Sequence, residues 1–230
     1  MMQHLAVVMD GNRRWAKKNK MEVFLGHSRG GVQALETTVE FCLESRITYL
    51  SVYAFSLENL KRTEQEKNFL FDLIVSQSHD LLEKSNKHGI KIRFVGDRSL
   101  FPDEVLKAAQ ELEEATEFNT TLHLNILFCY GGRQEILSGV KTLVEKIQKG
   151  LLSVQDISEK VFEESLWMAG VPSPDLVIRT GGVKRLSNFL LYQAAYSELC
   201  FLDCFWPEIT KKHLSDAVTE FLHTKRNFGV

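Results

Sequence analysis

Proline is scarce, with four in 230 residues, and no stretch is rich in proline, glycine and serine. Nothing marks a flexible linker, so one domain over residues 1–230 is expected, long enough for a full hydrophobic core. Cysteine is sparse too: Cys42, Cys129, Cys200 and Cys204 lie mostly in apolar segments and lack C-x-x-C spacing. That argues against a disulfide scaffold or a zinc site and for reduced core thiols. No apolar run approaches the ~18–20 residues of a membrane span, and no secretory signal opens the chain. A cytoplasmic protein without a membrane span is the expectation. An excess of either charge is also missing, since 28 Lys and Arg face 30 Asp and Glu. A general nucleic-acid partner is therefore not expected, and any anion site must be a local cluster of cations.

What is present is an alternation of strand-like and helix-like segments. Leu5–Met9, Thr48–Phe55, Ile90–Val95, Leu122–Cys129 and Asp175–Ile178 read as short apolar or β-branched strands, with Glu198–Leu202 as a sixth. Between them, helical spacing runs through Gly26–Ser45, Glu64–His88, Pro102–Thr116 and Gly132–Lys149, with two short helices before Pro172 and a last helix from Thr210 to about Arg226. The pattern predicts an α/β fold with a mainly parallel central sheet of about six strands flanked by helices.

The segment after the first strand, Asp10-Gly11-Asn12-Arg13-Arg14-Trp15, carries the densest chemistry. Ligands of open α/β sheets bind at the carboxyl ends of strands. An acid, a glycine, a helix start capped by Asn12 and two arginines suit a diphosphate bridged by Mg²⁺. A capped helix whose cations are merely solvated uses the same residues. Three more strand ends carry similar equipment: Ser56-Leu57-Glu58-Asn59-Leu60-Lys61-Arg62, Gly131-Gly132-Arg133, and Arg179-Thr180-Gly181-Gly182 followed by Arg185-Leu186-Ser187. In a parallel sheet these ends converge, and together they favour a phosphate site over four unrelated turns.

Several strings also resemble a known family. H-L-A-V-V-M-D-G-N-R-R-W-A, Y-A-F-S-L-E-N-L-K-R, D-L-V-I-R-T-G-G, R-L-S-N-F-L-L and A-Y-S-E-L, in this order, resemble the signatures of the cis-prenyltransferases, in particular the bacterial undecaprenyl diphosphate synthases. The resemblance spans nearly the whole chain. It implies Mg²⁺-dependent condensation of farnesyl diphosphate with successive isopentenyl diphosphates, giving a polyprenyl diphosphate of about C₅₅, the precursor of the bacterial cell-wall lipid carrier. It implies that Asp10 holds the metal against a diphosphate with help from Glu198. Gly11, Asn12, Arg13, Arg14 and Trp15 would bind the allylic diphosphate, with His27 beside it. Arg179, Arg185, Leu186 and Ser187 would bind the isopentenyl diphosphate. Asn59 would orient the group that takes the proton, flanked by Ser56, Leu57, Glu58, Leu60 and Arg62. A homodimer is implied, with the aromatic segment 201–206 a candidate for its contacts, and the lipid product implies transient membrane contact.

The growing chain would need an apolar tunnel. Phe55, Leu70, Ile74 and Leu122 are candidates to line it, unless they simply fill the core. Two positions depart from the family pattern: Val23 replaces a common arginine, to be compensated by Lys20 or Arg29, and Leu60 replaces a tryptophan. Two rival readings remain. Gly26-His27-Ser28-Arg29-Gly30 spells the G-x-S-x-G of serine esterases, though no strong strand precedes it. A non-catalytic partner subunit is the other, although such relatives lose the acid and arginines kept here.

Overall fold

The computed structural model describes residues 2–224, with only the backbone of Arg29 and Gly30. The first apolar run forms β1 (His4–Val8), buried at every position. It is followed by α1 (Asn12–Lys18), α2 (Val23–Leu25), a π-helical turn over Gly26–Gly31 and α3 (Val32–Glu44). Then come β2 (Tyr49–Ser56), α4 (Glu64–His88), β3 (Ile90–Val95), α5 (Asp103–Ala115), β4 (Leu122–Tyr130) and α6 (Gly132–Gln148). The chain ends with α7 (Glu159–Glu163), β5 (Leu176–Arg179), β6 (Glu198–Phe201) and α8 (Lys211–His223). α8 stops at His223, with Thr224 already extended, short of the expected end near Arg226; residues 225 and 226 lie outside the described residues.

The six strands form one sheet in the order β3-β4-β2-β1-β5-β6, and every pairing is parallel. Side chains alternate across the pleat, so each strand feeds two cores. Leu5, Val7, Leu50, Val52, Phe94 and Phe128 pack with residues of α3, α4, α5 and α8. Ala6, Val8, Val95 and Leu127 pack on the other face against Met168, Phe189 and Leu190. Near the middle of the sheet is a buried polar chain. Nδ1 of His4 donates to the carbonyl of Pro172 (2.6 Å), so its Nε2 accepts from the hydroxyl of Ser51 (2.8 Å), whose oxygen accepts from Asn125 (3.2 Å). A neutral imidazole satisfies both contacts, and burial pushes the His4 pKa down to about 4.

Two local expectations are corrected. Asn12 does not cap α1: it is the first helical residue, and Gly11 precedes it at φ 109°. There the Asn12 amide nitrogen donates to the carbonyl of Met9 at 3.2 Å. The helix expected over Gly26–Ser45 is two windings, a π turn over the glycine-rich Gly26–Gly31 and then α3. Gly26 is pressed so closely on α1 that a Cβ would run into the backbone oxygen of Asn12. That turn follows a helix instead of a strand, so Ser28 has no nucleophile elbow and the esterase reading loses its structural basis.

Candidate active site

Strands following β1 occupy one side of it up to β4, and β5 and β6 occupy the other. The carboxyl ends of β2, β1 and β5 therefore border a crevice at the switch point. Asp10 stands in it, fixed through its backbone. Its N–H donates to the Thr180 hydroxyl oxygen (3.0 Å), that hydroxyl donates to the Asp10 carbonyl (2.7 Å), and Trp206 N–H donates to the same carbonyl (2.9 Å). Its carboxylate takes Arg179 Nη2 on one oxygen (2.8 Å) and Arg14 Nη2 on the other (3.2 Å). Arg14 is held in turn by the carbonyl of Gly181 (2.7 Å) and lies over the Phe205 ring, 5.2 Å from its centroid.

Arg179 ends β5 and is buried. Its Nη1 donates to the carbonyl of Arg185 (2.6 Å) and to the hydroxyl of Ser187 (2.8 Å), which also accepts from Arg185 Nε (3.2 Å). After β2, residues 57–61 form a 3₁₀ turn closed by a capping box between Ser56 and Asn59. The Asn59 carbonyl oxygen accepts from Ser56 N–H (3.1 Å), which leaves the amide nitrogen of Asn59 as its donor. Arg62 pairs with the buried Glu66 at 2.9 Å, and Arg13 approaches the same carboxylate at 3.8 Å.

His27 faces this cluster. Burial, then the Arg62 and Arg13 guanidiniums, pushes its pKa down to about 4. Among the described residues, the buried polar atoms without a partner include Asn12 Oδ1, His27 Nε2 and Arg179 Nε. All three residues line one cavity, so the unmet hydrogen bonds gather where a polar ligand would complete them. The two neutral histidines carry a pH prediction. The unfolded chain takes up their protons near pH 6.5 and the folded chain near 4, so stability is full above 6.5 and falls as pH drops from 6.5 to 4. The buried His4 alone accounts for about 3 kcal/mol of that loss. The urea midpoint should fall steadily from pH 7 to 4.5, less steeply in His4→Gln; a midpoint flat with pH would contradict the buried neutral rings.

That cavity has a volume of about 720 Å³. Its mouth holds Asp10, Asn12, His27, Ser56, Glu58, Asn59, Arg62, Arg179, Arg185 and Ser187, all expected site residues. Its depth runs between α3, α4 and the sheet past Leu35, Leu70, Ile74 and Leu81 to Phe94, Leu112 and Phe128. Phe55 also lines it, whereas Leu122 is fully buried at the start of β4 and stays in the core. Gly11, Arg13, Arg14 and Trp15 lie beside the mouth on and before α1, outside the lining. Leu57 and Leu60 pack on the core below the 3₁₀ turn, and Leu186 packs on the opposite core. Gly131, Gly132 and Arg133 do not join the anion cluster: Asn188 accepts from the N–H groups of Gly132 (2.7 Å) and Arg133 (2.9 Å).

Glu198 is not beside Asp10. It opens β6 opposite Leu176, whereas Phe201 at the other end pairs with Arg179. Three residues of strand, about 10 Å, separate it from the edge that carries Asp10. Within one chain the two carboxylates do not meet on a shared cation. Two side chains of the aromatic segment 201–206 have internal contacts. Trp206 is wholly buried and donates to the Gly31 carbonyl (3.2 Å), and the Phe205 ring lies where a Cβ on Gly11 would go. Tyr53, Thr180 and Asn188 are site residues that motif reading passed over, although all three stand inside the quoted strings.

Comparison with known proteins agrees with this geometry. Residues 8–229 match the prenyltransferase family model described as putative undecaprenyl diphosphate synthase. An isoprenyl transferase of Clostridium perfringens is 41% identical over 229 residues, covering 100% of this chain and 90% of that protein. A tritrans,polycis-undecaprenyl-diphosphate synthase (geranylgeranyl-diphosphate specific) of Pyrococcus abyssi is 42% identical over 229 residues, covering 99% and 86%. Among solved structures, lavandulyl diphosphate synthase from Lavandula x intermedia, in complex with dimethylallyl diphosphate, superposes with a TM-score of 0.96 at 30% identity, covering 100% and 98%. Among the described residues, no helix is long and apolar enough to cross a membrane. With its ionic mouth above an apolar cavity, the chain belongs to the undecaprenyl diphosphate synthase family of prenyltransferases.

Proposed function

We propose that the chain, acting as one catalytic domain, condenses farnesyl diphosphate with successive isopentenyl diphosphates into a polyprenyl diphosphate of about C₅₅. The observation that carries this reading is the cavity itself: cations and one carboxylate at its mouth, then a long apolar depth. An allylic diphosphate at the mouth would accept from Arg14, from the neutral His27 ring and from backbone N–H groups of α1. Arg179, Arg185 and Ser187 would hold the second diphosphate. Asn59 would use its free amide N–H to orient the group that takes the isopentenyl proton, because an amide is itself a poor base. The arginines stabilise negative charge that grows on the departing diphosphate. The undecaprenyl product named for the Pyrococcus relative and the allylic diphosphate named in the Lavandula complex support product and substrate class.

Mg²⁺ fits these residues in one form. Asp10 offers a single carboxylate, Asn12 Oδ1 is a buried acceptor without a partner, and among the described residues no cluster of three or more His, Cys, Asp or Glu forms a cage. A cation held by one carboxylate, a substrate diphosphate and water is the usual Mg²⁺ arrangement. Bound there, it would neutralise the leaving diphosphate. We extend the proposal to a homodimer, with the aromatic segment 201–206 a candidate for its contacts; sedimentation as a monomer at micromolar concentration would remove that element.

Purified chain, Mg²⁺, labelled isopentenyl diphosphate and either farnesyl or geranylgeranyl diphosphate test the reading. Products near C₅₅ from the farnesyl primer are expected. No elongation from any allylic primer would leave the non-catalytic subunit. Depth can be tested in the same assay. Leu70 and Leu81 both line the cavity, and eleven residues of α4 separate them by about 16 Å. Leu81→Trp should shorten the product by several units while the first condensation continues. Unchanged product length would place the growing chain elsewhere.

A further inference from the structure

Ser187, Asn188 and Leu190 all have left-handed backbone, at φ 51°, 67° and 41°. Residues with a side chain rarely adopt this backbone, asparagine most readily, so contacts must hold the segment in place. Those contacts converge on Asn188. Its backbone carbonyl accepts from Gly132 N–H (2.7 Å) and its Oδ1 from Arg133 N–H (2.9 Å), which caps the start of α6. Its Nδ2 donates elsewhere, to Glu58 Oε1 (2.9 Å) and Gln134 Oε1 (3.1 Å).

Capping α6 needs only the two oxygens. The bond to Glu58 does nothing for that helix, yet it crosses the cavity mouth. Glu58 belongs to the 3₁₀ turn that carries Asn59, and Asn188 directly follows Ser187, on which Arg179 and Arg185 converge. We propose that Asn188 is a positioning residue. Its amide latches the Asn59 turn to segment 185–188 and so sets the spacing between the second diphosphate's cations and the group that orients proton removal. This rests on the reading in which Arg185 and Ser187 hold isopentenyl diphosphate.

The latch is testable apart from the cap. Asn188→Asp keeps an acceptor for Arg133 N–H and tolerates left-handed backbone, but it loses the donor and sets a carboxylate against Glu58. The KM for isopentenyl diphosphate should rise about tenfold, with affinity for the allylic diphosphate changed less than about twofold and the melting temperature nearly unmoved. Adding Glu58→Gln exchanges donor for acceptor across the pair and should return KM to within about threefold of the parent chain. An unchanged KM in Asn188→Asp, or a double variant no better than the single, overturns the latch. So does a lower melting temperature with kinetics intact, which would make Asn188 a cap only. If the parent chain itself fails to use isopentenyl diphosphate, the reading of the site falls and the latch falls with it.

Discussion

Asp10→Ala should lower the single-turnover rate about 10²–10³-fold, a loss of about 3–4 kcal/mol in the transition state. The carboxylate is fixed by Thr180 and Trp206 through its own backbone and is only partly buried, so its removal leaves the surrounding frame in place. Binding without metal should change little or tighten, because Arg14 and Arg179 lose a competing anion and become free for the diphosphate. The alternative role is an anchor for Arg179. Asp10→Asn separates the two, since its amide oxygen still accepts from Arg179 but carries no charge. Asn should not restore turnover. If it does, Asp10 is only an anchor and the proposed chemistry lacks its acid.

Arg179 is expected to show the second large effect. Three contacts depend on its fork, to Asp10, the Arg185 carbonyl and the Ser187 hydroxyl, and its buried Nε has no partner. A lysine keeps the charge but offers a point, not a planar fork, and cannot reach these partners together. Arg179→Lys should fold and yet raise the KM for isopentenyl diphosphate at least about tenfold, the loss of more than one charge-assisted hydrogen bond. Arg179→Ala should in addition lower stability by about 1–3 kcal/mol, below the cost of breaking a fully buried pair because Asp10 retains some solvent and Arg14. Thermal melts and separate saturation curves for the two substrates check this. A lysine variant with an unchanged KM would remove Arg179 from the diphosphate site.

Which of these residues could be read in advance follows from the distance over which each is decided. The start of α4 after Thr63 and its stop at Gly89, at φ 68°, are local, because the cap and the left-handed residue act within one turn. The strands are equally legible: a parallel sheet covered on both faces demands unbroken apolar runs, as in residues 5–8 of β1 and residues 176–178 of β5, while the edge strand β3 alternates apolar residues with Lys91 and Arg93. The strand-end motifs also announce themselves, since only Gly, Asp, Asn and Arg do what a diphosphate requires. By itself, then, the sequence determined the α/β class, the strands, most helices, and the acid and arginines of the site.

Pairing order and side-chain partners were decided in three dimensions. The family resemblance joins Glu198 to Asp10, but the parallel pairing of β5 with β1 and β6 puts Glu198 at the amino edge of the sheet and Asp10 at its carboxyl edge. Gly131-Gly132 reads as an anion nest until Asn188, over fifty residues later, fills it. Leu122 and Leu70 are alike as apolar residues; one is sealed in the core at the start of β4 and the other lines the cavity from α4. Composition and spacing report what a residue is able to do. Whether a given amide, carboxylate or leucine meets a ligand or another part of the chain depends on contacts between segments far apart in sequence, and these exist only once the sheet has closed.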